Sequence, residues 1–449
     1  MNNGYLLNLC ISGIKNIVDR IEIPFYKKTI RNDFDPHQYR IKGIYGENGS
    51  GKTAIMTAVR IMTRILLDRN YLNDSVNQRL LVESINKQTR KASLEMVYYC
   101  QAVGYSQNEV GPFIYHYRVD LEVGLDGRVC ISREILERKI GHNSQGQYTP
   151  VFETRDGDLV LFEKKEAFEF CKERTQNLLD HRSFATFIDD IGEVRDHLFG
   201  FTWGHLTALA FFASGIIVRI DGEDDHRSDV LNRLLNGKKE SALRESESLT
   251  IYSRASAAGQ DRNEVMIPRS QTQLAAYREY VNRLFSFIRI FKTDLKNIVV
   301  ETKEYGEFYI CRRIMVYDGY ELDEEYESRG IRKLMGLFDA LDAACDGYIV
   351  FIDELDSNIN DIYLDKLIEY FVCYGKGQLC FTAHNLSPMS VLRNSKCAIS
   401  FISCANTVHT WTSNGNQNPE HAYRDGFIED SPFNVDASDF LGVLGGADD

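Results

Sequence analysis

A chain of 449 residues with 43% hydrophobic and 26% charged residues has the composition of a folded protein with a large core. Its formal net charge of −13 argues against a protein that holds nucleic acid mainly through phosphate contacts, and leaves that role to a local basic groove or to a partner. The ten cysteines form no C-x-x-C pair and no histidine-spaced cluster, which argues against a zinc site and is compatible with a reducing cytoplasm. Because the first residues lack the basic-then-apolar pattern of a secretion signal, we expect a cytoplasmic protein.

The first predicted elements are two strands within residues 5–25, where apolar side chains alternate. Residues 46–53 then read Gly-Glu-Asn-Gly-Ser-Gly-Lys-Thr, which is a complete phosphate-binding loop. A short strand is predicted over residues 40–45 and a helix over residues 54–62. This strand–loop–helix context is the one that the motif requires, so the chain is expected to bind a nucleoside triphosphate.

The chemistry of this loop follows from its residue types. Glycines let several backbone N–H groups point at phosphate oxygens, and the helix N-terminus adds a partial positive charge. Lys52 is expected to reach the β- and γ-phosphates, and the Thr53 hydroxyl is expected to bind Mg²⁺. A glycine-rich turn without a ligand is the alternative, which the Lys-Thr pair argues against. The predicted nucleotide-binding residues are those of the whole loop: Gly46, Glu47, Asn48, Gly49, Ser50, Gly51, Lys52 and Thr53.

The next segments change from strands to helices. Residues 92–165 predict antiparallel strands separated by glycine-containing turns, and residues 166–220 are predicted to be helical. Leu198–Val218 contains 21 residues without Asp, Glu, Lys or Arg, which is long enough to span a bilayer. Because this stretch contains a histidine, three glycines and two threonines, we favour a buried helix of a globular lobe over a membrane span.

The polar residues 221–268 predict a loop or a flexible linker rather than a site. A helix around residues 271–290 and strands at 298–301 and 308–312 return the chain to regular structure. No sustained heptad is present, which excludes long coiled-coil arms.

A second acidic motif follows the apolar run Tyr348–Ile352. This run is typical of a fully buried parallel strand, and it ends in Asp353 and Glu354. The carboxyl ends of such strands meet the phosphate loop in open α/β sheets, so Asp353 is the predicted metal ligand. Glu354 is the predicted catalytic residue that polarises the attacking water. An acidic surface turn is the alternative, and Lys52 and Thr53 upstream argue against it.

Two further sites surround this strand in the sequence. Ser328 and Gly330 open an apolar-periodic helix, and a Ser-x-Gly at a helix N-terminus can bind an anion. Leu379–Ala383 predicts another buried strand, which ends at His384. A lone histidine is usually structural, but in this order of motifs we interpret His384 as a residue that hydrogen-bonds the γ-phosphate.

This order of motifs resembles the ABC-type ATPase heads, which include the RecF and SMC relatives. The resemblance implies an α/β fold, namely a P-loop ABC-ATPase head with a mixed central sheet, helices, an antiparallel β lobe and a helical insertion. It implies ATPase activity with ATP and Mg²⁺. It also implies self-association as a dimer or higher oligomer, in which two heads enclose ATP. Ser328 and Gly330 would then contact the nucleotide of the other head, Asp356 would lie at the seam, and His384 would be the switch residue.

The same resemblance divides the chain into four segments. Residues 1–91 would form the N-terminal half of the head with the phosphate loop, and residues 92–165 the antiparallel lobe. Residues 166–290 would form the helical insertion, with the polar loop at 221–268. Residues 291–449 would form the C-terminal half of the head.

More narrowly, the residues at 327–330 and 351–356 are similar to those of compact bacterial ATPases related to the overcoming-lysogenization-defect (OLD) proteins. Such ATPases often belong to anti-phage systems, Septu and PARIS among them, in which the ATPase is paired with a nuclease or toxin. The resemblance implies a sensor or scaffold that controls a separate effector, because too little sequence follows His384 for a Toprim nuclease domain. The alternative is a RecF-like ATPase that acts directly on DNA, which a basic stripe across the heads would support.

Overall fold

A computed structural model describes residues 4–26, 34–101, 103–105, 108–141, 146–187, 200–221, 264–412, 417–428 and 431. Most of the predicted polar loop lies outside these ranges.

The strands that the structure describes are, in chain order, β1 (Gly4–Ser12), β2 (Ile21–Pro24), β3 (Ile41–Tyr45), β4 (Lys91–Cys100), β5 (Val103–Tyr105), β6 (Asn108–Val110), β7 (Phe113–Val123), β8 (Val129–Ile140), β9 (Thr149–Arg155), β10 (Asp158–Phe162), β11 (Ile216–Arg219), β12 (Val265–Pro268), β13 (Asn297–Tyr305), β14 (Phe308–Tyr317), β15 (Tyr320–Asp323), β16 (Ile349–Ile352), β17 (Gln378–Thr382), β18 (Ile399–Ile402) and β19 (Val408–Thr410). The α-helices are α1 (Lys52–Leu67), α2 (Ser75–Ser84), α3 (Lys165–Thr175), α4 (Phe184–Phe187), α5 (Phe201–Ser214), α6 (Gln271–Phe291), α7 (Arg329–Cys345), α8 (Asp361–Tyr374), α9 (Pro388–Leu392) and α10 (Pro419–Arg424). Short 3₁₀ helices cover Pro36–Tyr39 and Glu324–Tyr326.

The central sheet has six strands in the order β11-β16-β17-β3-β18-β19. The first five are parallel, and β19 pairs antiparallel with β18. Every residue of β3, β16, β17 and β18 is buried, as expected for parallel strands covered on both faces. The buried parallel strands predicted before Asp353 and before His384 are therefore confirmed, and so is the predicted α/β class with a mixed sheet.

A seven-stranded antiparallel sheet forms the second layer, in the order β10-β9-β8-β7-β4-β1-β2. The strands predicted within residues 5–25 belong to it, so this sheet joins parts of the first two sequence segments. Its inner face packs on α5, where the rings of Tyr98 and Phe212 stack 3.8 Å apart. The Tyr115 hydroxyl and the His205 Nδ1 atom lie 2.7 Å apart in the same interface, and burial lowers the pKa of His205 to about 3.

Two buried polar side chains join the antiparallel sheet to the central sheet. The Gln378 amide at the start of β17 accepts a hydrogen bond from the Leu6 N–H at 2.7 Å and donates to the Leu6 carbonyl at 3.0 Å. The Lys42 ammonium on β3 donates to the carbonyl of Pro24 at 2.8 Å. These bonds tie the antiparallel sheet to β3, which carries the phosphate loop, and to its neighbour β17.

A third sheet has the strand order β12-β14-β13, and β15 pairs with the C-terminal part of β14. The loop or flexible linker was predicted to extend to residue 268, and this was wrong for its last four residues, because Val265–Pro268 is a strand. It pairs antiparallel with β14, with Val265 opposite Cys311 and Pro268 opposite Phe308. Strands this short are stabilised by their neighbours rather than by a pattern of their own.

The apolar stretch Leu198–Val218 is not one helix. Its described part forms α5 and then β11, which pairs with β16 at the edge of the central sheet. Gly215 ends the helix and lets the chain turn into the strand. In the part of the chain that the structure describes, no helix is long and apolar enough to cross a membrane.

Candidate nucleotide-binding and hydrolysis site

The phosphate loop lies between β3 and α1, as predicted. Its backbone takes left-handed φ angles of 84° at Gly49 and 107° at Gly51, which residues with side chains rarely adopt. A Cβ atom on Gly46 would stand 2.2 Å from the carbonyl oxygen of Ile402 on β18. The loop can therefore take this shape, with its backbone exposed to a ligand, only with glycine at these positions.

Lys52 is the first residue of α1, and its side chain turns back into the loop. It is only 7% exposed, and its Nζ atom donates to the carbonyls of Gly46 at 2.7 Å and Glu47 at 2.9 Å. Burial lowers the pKa of Lys52, and the nearby carboxylates of Asp353 and Glu354 oppose that shift. The structure thus brings the predicted phosphate-binding lysine and the predicted acidic residues into one electrostatic environment.

Another group in the loop is suited to an anion. The Ser50 hydroxyl is buried and has no hydrogen-bond partner among the residues that the structure describes. A buried polar atom without a partner is rare in proteins because it costs free energy. A phosphate oxygen would satisfy this hydroxyl, so the loop residues fit the predicted ligand.

Thr382 connects the two acidic residues at the carboxyl end of the sheet. Asp353 is 4% exposed, and its Oδ1 atom accepts a hydrogen bond from Thr382 Oγ1 at 2.6 Å. The Thr382 Oγ1 atom in turn accepts a hydrogen bond from the Glu354 N–H at 2.8 Å. Thr382 pairs with Ile44 across the sheet, directly before the phosphate loop. One hydroxyl therefore fixes the relative positions of both acidic residues beside the loop.

Glu354 has a left-handed backbone with a φ angle of 47°. This conformation costs a residue other than glycine about 1–2 kcal/mol, so its surroundings must impose it. It directs the side chain towards His384, whose Nε2 atom lies 3.7 Å from Glu354 Oε1. Both side chains are partly exposed and accessible to a substrate. The predicted catalytic pair is thus together at the edge of the site.

Asp356 holds the backbone that carries His384. Its Oδ2 atom accepts hydrogen bonds from the N–H of His384 at 2.9 Å and from the N–H of Asn385 at 2.6 Å. Its Oδ1 atom is buried without a hydrogen-bond partner in the described part of the chain. In this single chain, the residue expected at a dimer seam therefore holds the backbone at His384, the residue expected to be the switch.

Ser328 and Gly330 occupy the start of α7, as predicted. Ser328 is the N-cap residue, and its hydroxyl accepts a hydrogen bond from the Ile331 N–H at 3.4 Å. A Cβ atom on Gly330 would stand 2.8 Å from the carbonyl oxygen of Asn358, so glycine permits a close approach to the segment after β16. Within the described ranges, no hydrogen bond links Ser328 or Gly330 to the phosphate loop of the same chain.

The buried carboxylate of Glu327 organises this turn. It accepts hydrogen bonds from the Ser328 N–H at 3.0 Å and from the Tyr317 hydroxyl. These bonds fix the first turn of α7 to β14. The Ser-x-Gly turn is therefore held in place before any ligand binds.

Sequence reasoning missed four residues that lie next to the residues of the candidate site. The Asn16 amide donates to the carbonyl of Gly49. Ile17 packs beside Gly51, where an added Cβ atom would stand 2.9 Å from the Ile17 side chain. The Lys333 ammonium donates to the Glu354 carbonyl at 2.7 Å. Only Thr382 could have been found from the sequence, because it is a polar residue at the end of a largely apolar strand. The other three could not, because their contacts join distant parts of the chain.

Thr53 and Asp353 are the residues that could hold a metal ion. Hydroxyl and carboxylate oxygens suit Mg²⁺, which usually takes one or two protein ligands together with substrate phosphates. Among the residues that the structure describes, no group of three or more His, Cys, Asp or Glu could hold a metal. Thr53 and Asp353 therefore fit a cation that is bound together with nucleotide phosphates.

No protein-family model matches this chain, and no curated protein matches it. Among solved structures, the SMC head domain from Thermotoga maritima is similar with a TM-score of 0.33 and 13% identity, covering 91% of this chain and 99% of that chain. A structure of the recombination mediator RecF with ATP has a TM-score of 0.36 and 13% identity at the same coverages. A second RecF structure, described with ATPrS, has a TM-score of 0.37 and 12% identity at the same coverages. Similarities this low carry no argument about function, which must come from the residues of this site.

Proposed function

We propose that this chain is an ABC-type ATPase head that binds ATP with Mg²⁺ and hydrolyses it to ADP and phosphate. The observation that carries the proposal is the convergence of three parallel strand ends. The phosphate loop follows β3, Asp353 and Glu354 follow β16, and Thr382 ends β17 between them. Groups suited to act as a general base, to bind phosphate and to bind a metal thus lie at one edge of the sheet, which is where open α/β sheets bind ligands.

The roles of the residues follow from their chemistry. The N–H groups of the loop and the Lys52 ammonium bind the β- and γ-phosphates and stabilise the charge that develops in the transition state. Thr53 and Asp353 would hold Mg²⁺, which neutralises phosphate charge when it is bound. Glu354 accepts a proton from the attacking water as the oxygen bonds to the γ-phosphorus and the bond to the ADP oxygen breaks. His384, beside Glu354, donates a hydrogen bond to the γ-phosphate.

We further propose that two heads enclose the nucleotides. Ser328 is exposed at the positive N-terminal end of α7, where a helix favours an anion. Because no hydrogen bond within the described ranges links Ser328 or Gly330 to the phosphate loop of the same chain, we infer that they serve the nucleotide of a second copy. This proposal combines the site geometry with the resemblance of the motifs to ABC-type heads.

In the cell, we propose that the head acts as a sensor or scaffold that controls a separate nuclease or toxin in anti-phage defence. The support for this step is the similarity of residues 327–330 and 351–356 to those of OLD-related ATPases. The net charge of −13 also counts against direct action on DNA as the main role.

Glu354→Gln tests the ATPase proposal. The amide cannot accept the proton from water, so we expect kcat to fall by about 100-fold or more while ATP still binds. Glu369→Gln is the matched control, since Glu369 is an exposed residue of α8 paired with Lys366. Turnover and the affinity for a fluorescent ATP analogue are the two measurements. Unchanged turnover in Glu354→Gln would overturn the proposed role of this residue.

The same variant tests the cellular role, because it should hold ATP and the closed assembly. A pull-down from native cells with Glu354→Gln and ATP would be analysed for co-purifying protein and nucleic acid. A stoichiometric nuclease-like or toxin-like partner is the expected result. Bound DNA without such a partner would instead support the RecF-like alternative.

A further inference from the structure

Lys333 joins three parts of the molecule through one buried ammonium group. It lies on α7, one turn after Gly330, and its side chain is 8% exposed. Its Nζ atom donates to the backbone carbonyl of Glu354 at 2.7 Å and to the Asp221 carboxylate at 2.7 Å. The start of α7, the turn after β16 and the residues after β11 are therefore connected at a single point.

The bond to Glu354 acts on a backbone in an uncommon conformation. Glu354 has a φ angle of 47°, and its N–H donates to the Thr382 hydroxyl at 2.8 Å. Its carbonyl accepts from the Ser357 N–H at 3.0 Å as well as from Lys333. The Ser357 bond closes the turn itself, the Thr382 bond holds it on the sheet, and the Lys333 bond ties it to α7.

We propose that Lys333 is a positioning residue that couples the place of α7 to the aim of the Glu354 carboxylate. The inference rests on the proposed ATPase function, in which the first turn of α7 contacts the nucleotide of a second copy. Any displacement of that turn either carries the Glu354 backbone with it or breaks the Lys333 bond. Hydrolysis in one head thereby depends on whether its own Ser328 and Gly330 are engaged.

Asp221 gives Lys333 its second restraint. The Asp221 carboxylate is 22% exposed and follows β11, the edge strand that pairs with β16. An ammonium between a carboxylate and a carbonyl makes charge-assisted hydrogen bonds, which are stronger and more directional than neutral ones. Asp221 thus fixes the direction from which Lys333 approaches Glu354.

A purely structural ion pair is the competing explanation, and a double variant separates the two. Lys333→Met removes the ammonium but also leaves the Asp221 carboxylate partly buried and unpaired, which destabilises the fold. Asp221→Asn in the same chain removes that charge. The double variant should therefore recover stability, but the Glu354 carbonyl still lacks its ammonium donor.

The experiment measures steady-state ATP hydrolysis, the affinity for a fluorescent ATP analogue and urea unfolding for the full chain. We expect Lys333→Met and Lys333→Met/Asp221→Asn to lower kcat by about 10-fold or more with KM changed by no more than about 2-fold. Lys333→Arg, which keeps a charged donor, should recover part of kcat. Lys366→Met on α8, an exposed lysine paired with Glu369, is the control and should leave kcat and KM unchanged.

Two results would overturn the inference. One is a kcat equal to that of the wild type in the double variant, and the other is a kcat that recovers in step with stability. If the wild-type chain itself binds no ATP or shows no turnover, the proposed function fails instead, and the inference fails with it. If Lys333→Met does not fold, the double variant carries the test.

Discussion

Thr382→Val should destabilise the fold and slow ATP hydrolysis, because it removes the hydroxyl between two acidic residues without changing the shape of the side chain. Thr382 is fully buried, donates to Asp353 at 2.6 Å and accepts from the Glu354 N–H at 2.8 Å. The hydrogen bond to the charged carboxylate contributes about 2 kcal/mol, and the N–H left without an acceptor costs about 1 kcal/mol. We therefore expect the free energy of unfolding to fall by about 3 kcal/mol.

The assay compares urea unfolding, followed by circular dichroism, for Thr382→Val and Thr175→Val. Thr175 is equally buried, but its hydroxyl donates only to the neutral carbonyl of Cys171 at 2.9 Å. This control should lose only about 1 kcal/mol and keep its ATPase activity. Equal losses in the two variants would refute the reasoning, because they would show that the bonds of Thr382 to the Asp353 carboxylate and to the Glu354 N–H add nothing. Unchanged kcat in Thr382→Val would equally contradict its role in placing Glu354.

Two other predictions concern backbone strain and pH. Gly51→Ala should weaken ATP binding at least about 10-fold, because it combines a φ angle of 107° with a Cβ atom 2.9 Å from Ile17. Gly127→Ala is the control, because Gly127 has a φ angle of 80° but an added Cβ atom would have no other atom within 4 Å. This variant has backbone strain without a clash and should bind ATP normally. Equal ATP affinities of the two variants would contradict the clash at Gly51. The hydrogen bond from His116 lowers the pKa of Glu95 from 4.5 to about 2, so Glu95 contributes stability above its unfolded pKa that is lost as pH falls towards 2. The difference in the free energy of unfolding between the wild type and Glu95→Gln, measured with urea, should decrease from about pH 6 to about pH 3. A difference that does not change with pH would count against the pairing of Glu95 with His116.

The parts of the site that the sequence predicts are those in which consecutive residues carry the signal. The phosphate loop needs glycines at fixed spacing before Lys52, and the structure shows why, since φ angles and a close approach to Ile402 exclude side chains. The apolar runs before Asp353 and His384 predict buried strands because both faces of a parallel sheet are covered. In these cases the local pattern and the tertiary environment agree, so sequence alone was sufficient.

Contacts between distant segments could not be predicted. Lys333 and Glu354 are 21 residues apart, and Asp356 and His384 are 28 apart, so neither pair forms a motif. Lys333 lies on a helix among other charged residues and is indistinguishable from a solvent-exposed lysine in the sequence. Its burial depends on where β11 ends, which sequence reasoning did not place.

The short strands β11 and β12 were missed for a related reason. Ile216–Arg219 continues an apolar stretch after a helix, and only its pairing with β16 makes it a strand. Val265–Pro268 lies at the end of a polar region, and its pairing with β14 decides its conformation. Both elements owe their structure to a neighbour that is far away in the sequence, so local propensity cannot identify them.

The end of β17 is the element through which the state of the phosphate loop can reach the acidic residues. All three carboxylates after β16 face it: Asp353 accepts from the Thr382 hydroxyl, Glu354 lies beside the His384 ring, and Asp356 accepts from the His384 N–H. β17 also lies between β16 and β3, and the loop begins where β3 ends. If the site binds ATP as proposed, a shift of the loop would therefore reach Asp353, Glu354 and the segment at His384 through β17. The Lys333 ammonium donates to the Glu354 carbonyl at 2.7 Å, so Glu354 is held both by the end of β17 and by α7, the helix proposed to offer Ser328 to a second copy.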